Sequence, residues 1–176
     1  MSTAPLTPIS ALDDAIAKAC AAAKAMLPLI GTTLHAQFPT GAYLVLTRPV
    51  DYDTDYDSVR LDSVRDIEGN TVHEFDEWAK DAPELPAVPD EITALWGTAD
   101  PRNPSEVLNL IQRVDEVEPY QFLAFLPEEL RTDEEIEAED SGGRTPLGIP
   151  LAPAVCVLHG EECPVFGHAE PPVPVD

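Results

Sequence analysis

Four residues with metal-ligand chemistry crowd the C-terminal part of the chain. Cys156, His159, Cys163 and His168 form a C-x2-H-x3-C-x4-H run. Thiolate and imidazole are the donors Zn²⁺ takes in a tetrahedral site, and spacings of a few residues let a short loop wrap one ion. Gly160 and Gly167 would supply tight turns beside the ligands. Against zinc, no C-x-x-C pair anchors the run, and its order matches no standard zinc module. Two other readings compete with it: a buried Cys156 on the strand-like stretch AVCVLH with incidental histidines, or a Cys156–Cys163 disulfide in an oxidising setting.

A second constellation lies in DYDTDYD. Asp51, Asp53, Asp55, Asp57 and Asp62 fall at positions one, three, five, seven and twelve of a calcium loop. Alternate carboxylates in a turning loop suit a hard cation. The sixth position, however, is Tyr56 rather than the Gly that the sharp turn needs. The twelfth is Asp62 rather than a longer, bidentate Glu, and strands rather than helices are expected on either side. No cofactor is therefore firmly assigned, and zinc ranks ahead of calcium.

The third feature is the acid surplus itself. The chain holds 33 Asp+Glu against 10 Lys+Arg, a formal net charge of -23 over 176 residues. The charge is concentrated: residues 1–48 are net +1, residues 49–100 net -12 and residues 101–141 net -9. Like charge at this density repels itself, so a compensating use is expected. Carboxylates interleaved with aromatic rings suit an interface that steers a basic partner and then locks it. The partner-binding set is Asp51, Tyr52, Asp53, Asp55, Tyr56, Asp57, Glu74, Asp76 and Glu77. The bland alternatives are adaptation to high salt and a genomic bias against Lys, of which there are three against seven Arg.

Enzyme signatures are lacking. There is no phosphate-binding Gly-rich loop, no H-E-x-x-H and no G-x-S-x-G. Paired acids such as Glu74 and Asp76 arise by chance in so acidic a chain, so acid–base catalysis has no support. Cys20 reads as a buried thiol, Trp78 and Trp96 as core anchors, and His35 as a partner for a helix C-terminus.

The elements that would position these groups follow from periodicity. Ser10 is the expected N-cap of an Ala-rich helix from about 10 to 27, kinked or ended by Pro28 and continuing, bent, to Gln37 at most. Its apolar stripe is Leu12, Ile16, Cys20, Ala23, Leu27, Ile30 and Leu34. Residues 42–47 read as a strand. Val59 to Ile67 reads as a second strand whose period slips at Ser63, consistent with a bulge, and residues 71–75 read as the return strand. Together they predict a three-stranded antiparallel meander with one solvated, acidic face. A short helix runs from Asp90 to Trp96, closed by Gly97. Asn103-Pro104-Ser105-Glu106 opens a longer one with Val107, Leu110, Ile111, Val114 and Val117 on its apolar face. Residues 120–126 are an apolar run of either type, and the acidic segment 127–140 is anchored only by Leu130 and Ile136.

The expected fold is a single α+β domain with a long N-terminal helix, a three-stranded meander and two or three C-terminal helices. Residues 1–9 form a flexible arm, residues 10–140 the domain, and residues 141–176 a Pro-rich extended tail that could hold a small metal-binding turn. Three cysteines are too few for a secreted disulfide framework, and no basic leader precedes the first helix, so a cytoplasmic location is expected. No run of about 18 apolar residues is free of charge, which argues against a membrane span. Scarce Lys and Arg argue against direct binding to nucleic acid. The functional expectation is a non-enzymatic acidic protein that binds a basic protein surface, as an inhibitor, immunity-type or nucleic-acid-mimicking factor would. The alternatives are a zinc module ordering the tail, and a small enzyme with no short motif.

Overall fold

The computed structural model describes residues 7–48, 58–75 and 83–152. Helix α1 spans Pro8–Gln37. Its cap is Thr7 rather than Ser10: the Thr7 hydroxyl accepts the Ser10 N–H at 3.2 Å, and Pro8 supplies the preset φ of a first helical residue. The helix passes through Pro28 without ending. An interior proline costs roughly 3 kcal/mol, but Leu27, Ile30 and Leu34 are fully buried on either side of it. Each such burial contributes about 1.5–3 kcal/mol, so packing outweighs the lost hydrogen bond.

Strands β1 (Tyr43–Thr47), β2 (Arg60–Arg65) and β3 (Thr71–Glu74) form the expected meander. The bulge lies where the pattern slips: Val45 pairs with Ser63 but Leu46 with Leu61, so Asp62 is the extra residue. The β2–β3 turn is held by Asp66, whose Oδ1 accepts the N–H groups of Glu68 and Asn70 at 2.9 Å each, while Gly69 takes φ +86°. Helices α2 (Asp90–Leu95) and α3 (Pro104–Val117) follow. Asn103 caps α3 by accepting from the Ser105 N–H at 3.0 Å.

The sheet has five strands, not three. After α3 come β4 (Ala124–Phe125), a 3₁₀ turn (Glu128–Leu130), α4 (Asp133–Asp140) and β5 (Leu147–Pro150). The order is β3-β2-β1-β5-β4, antiparallel throughout. Residues 147–150 therefore do not belong to an extended tail; they pair along the free edge of β1. The sequence LGIP is too short, and too rich in Gly and Pro, to announce a strand, and only its β1 neighbour makes it one.

Strand β1 is buried on both faces. Leu44 and Leu46 join Ile30, Leu34, Val107 and Ile111 in the main core under the helices. Alternation sends Tyr43 and Val45 to the opposite face, where they pack with Leu126 and Leu130. At β1, then, the second face of the meander is not solvated as expected. The acidic segment after β4 folds back over it.

Candidate functional site

Arginines hold that second layer down. Arg65 lies opposite Tyr43 in the β1–β2 register, on the same sheet face. Its guanidinium donates to both carboxylate oxygens of Glu135 at 2.8 and 2.7 Å and to the Leu130 carbonyl at 2.8 Å. The Glu135 hydrogen bond raises the pKa of Arg65. Burial pushes the Glu135 carboxyl up, but the Arg65 hydrogen bond and the Thr132 N–H outweigh it and leave it below the usual carboxylate range. Glu135 also closes a capping box with Thr132 at the start of α4. Arg131 donates to the Leu126 carbonyl at 2.8 Å and to Glu139 at 2.7 Å.

Glu135 and Glu139 are thus turned inward onto arginines. Asp133, Glu134, Glu137 and Asp140 of the same helix are exposed, as are Glu128 and Glu129 of the 3₁₀ turn. The β2–β3 hairpin meets this layer, since a Cβ on Gly69 would lie 3.5 Å from the Leu130 Cα. The hairpin adds exposed Glu68, and exposed Glu74 pairs across the strands with Ser63. Two large apolar side chains stand among these acids: Ile67 is 55% exposed and Phe125 63%. Both line a shallow groove of about 560 Å³ whose floor is Leu126 and Leu130 and whose rim includes Glu128 and Glu129.

A second depression of about 730 Å³ adjoins Phe125 on its other side, lined by Arg48, Tyr120, Leu123, Arg144 and Leu147. Arg48 is fixed from α3: it donates to both oxygens of buried Asp115 at 2.8 and 2.6 Å. Tyr120 lies over Arg48, with its ring centroid 4.4 Å from the guanidinium carbon. Tyr120 has φ 68°, the left-handed region that bulky residues rarely occupy. The chain makes this turn directly after α3 ends.

Of the residues singled out in the sequence, Glu74 is exposed on edge strand β3. Asp51, Tyr52, Asp53, Asp55, Tyr56, Asp57, Asp76 and Glu77 lie outside the described residues, as do Cys156, His159, Cys163 and His168. Among the described residues no group of three or more His, Cys, Asp or Glu side chains converges to hold a metal ion. Cys20 is half-buried rather than buried, and its thiol points at Glu118, 3.6 Å away. Trp96 is a core anchor whose indole N–H donates to Thr33 at 2.9 Å. Sequence reasoning missed the acidic rim around Ile67 and Phe125. Its only trace was the acid-rich stretch 127–140, whose folding back over the sheet is a tertiary event. No protein-family model, curated protein or solved structure matches this chain.

Proposed function

We propose that the chain is a non-enzymatic binding protein that recognises a basic protein surface. The observation that carries this reading is the pair Ile67 and Phe125, exposed along a groove whose acids are Glu128 and Glu129, with exposed Glu68 next to Ile67 in the hairpin. Protein interfaces combine desolvated apolar anchors with a polar rim, and the rim charge sets the association rate and the choice of partner. The partner is expected to carry Lys and Arg around an apolar or aromatic contact. An inhibitor, an immunity-type protein and a nucleic-acid mimic would all use such a face. The acids of 51–57, with Glu74, Asp76 and Glu77, extend it on this proposal, and Tyr52 and Tyr56 add contact area.

The test compares wild type with two variants, Glu128→Lys/Glu129→Lys and Phe125→Ala, in capture from a cell lysate at low and at high salt. A basic protein retained at low salt and released at high salt is expected for wild type. The charge variant should slow association with that protein at least about tenfold at low salt. The Phe125 variant should speed dissociation instead, because an anchor acts on residence time. Equal retention by wild type and both variants would remove this face from the account.

A further inference from the structure

The helical side of the molecule carries a different surface. Cys20 is the point where α1 meets the end of α3, at Glu118. N-terminal to it, residues 8–19 are exposed apart from half-buried Ser10. At 1.5 Å per residue this arm extends about 18 Å beyond the body. The apolar stripe does not stop where the packing stops: Ile9 is 74% exposed, Leu12 59% and Ile16 52%. Next to the arm, α1 and the α2–α3 region enclose a groove of about 680 Å³. Ala19, Ala23 and Met26 line one wall, and Leu95, Trp96 and Val117 line the other. Leu95 is itself 69% exposed and Val117 39%.

The arm and the groove are complementary to each other, but not within one molecule. Ile9, Leu12, Ile16, Ala19, Ala23 and Met26 follow each other in steps of three and four, the spacing of a coiled-coil seam. Two such helices placed antiparallel about the peptide between Ala17 and Lys18 bring Ile9 against the partner's Met26, Leu12 against the partner's Ala23 and Ile16 against the partner's Ala19. Each branched side chain of the arm meets a small or flexible one of the groove wall, and the two-fold axis repeats the contact. Charge favours the same arrangement. The described part of α1 holds Asp13, Asp14, Lys18 and Lys24, a balanced set, in a chain of net charge -23. The other wall of the groove adds Glu106, Arg113 and Glu116, two acids against one base, so two copies of so acidic a molecule meet here with far less repulsion than they would across the carboxylates of α4.

We propose that the chain forms an isologous dimer in which the arm of each copy, residues 8–19, lies antiparallel in the α1–α2–α3 groove of the other. This leaves the acidic face of both copies outward, so the dimer would present two such faces.

Sedimentation velocity of the full chain between about 1 and 100 μM tests it, with the mass of two copies expected. Ile16→Glu places a charge at the centre of the seam and should weaken the dimer at least about 100-fold. Ile16 is exposed in one copy, so its far-UV circular dichroism should not change. The double variant Ile16→Cys/Ala19→Cys, oxidised, should yield covalently joined pairs. A wild type that stays monomeric throughout overturns the proposal, and so does a dimer indifferent to Ile16→Glu. By length and composition α1 could also cross a membrane, its best 18-residue window having mean hydropathy 1.3. A monomer that instead partitions onto phosphatidylcholine vesicles through the arm likewise overturns it.

Discussion

Arg65 shows how a scarce residue type is used in this chain. With seven arginines against 33 acids, this one is spent inside the fold rather than on its surface. Its guanidinium closes on Glu135, on the Leu130 carbonyl and on Ser63, so one side chain joins β2, the 3₁₀ turn and α4. Arg65→Met removes every one of those donors while keeping the apolar stem. The expected cost is about 3 kcal/mol, the low end for breaking a buried pair, because Glu135 keeps some solvent contact. The cost also depends on pH in a fixed direction. Glu135 has a depressed pKa in the folded state, so its contribution is present above the ordinary carboxylate range and is lost as pH falls through that depressed value. Urea unfolding of both proteins at pH 7 and at pH 3 should therefore show the gap between them narrowing in acid. A gap of the same size at both pH values would mean that Arg65 acts through the Leu130 carbonyl and Ser63 rather than through Glu135.

At the scale of elements, β5 is the piece on which the sheet depends. It pairs with β1 on one side and β4 on the other, and Leu147, Ile149 and Leu151 are all buried. Gly148 lets the Leu126 segment approach, since a Cβ there would lie 3.0 Å from the Leu126 Cδ1. A chain ending at Thr145 loses β5 and opens the β1 edge to solvent and to other chains. It should lose cooperative thermal unfolding and aggregate. A sharp transition in the shorter chain would show β5 to be an accessory of the fold.

For the whole molecule the two sides differ in charge. The helical side is charge-balanced along α1 and exposes Ile9, Leu12, Ile16, Leu95 and Val117 among charged residues, and the sheet-covering side is acidic around Ile67 and Phe125. Several cations are already committed to internal pairs, Arg48 with Asp115, Arg65 with Glu135 and Arg131 with Glu139, so the surplus carboxylates face solvent. Screening that self-repulsion with sodium chloride should stabilise the fold, because the buried pairs are screened far less than the surface. Between 0.05 and 0.5 M the gain should be on the order of 1 kcal/mol, about 2–4 °C in Tm at this size. A fall in Tm over that range would mean that surface ion pairs contribute more to stability than the excess charge costs.

The sequence alone determined whatever depends on neighbours along the chain. An Ala-rich N-terminal helix, the meander, a bulge near Ser63 and the N-terminal cap of α3 are all visible, because periodicity and capping are local signals, whereas the start of α1 at Pro8 and its passage through Pro28 are not. The acid surplus and its absence from α1 were visible too, since charge is additive. Only the tertiary structure decided that Leu147–Pro150 is a strand, that β1 is buried on both faces, and that the acids of α4 divide into an inward pair and an outward set. Those outcomes depend on groups far apart in sequence: Arg65 reaches Glu135 and Tyr43 meets Leu126. Short segments with little propensity of their own take the structure that an existing edge or buried face offers them, and no local pattern encodes that.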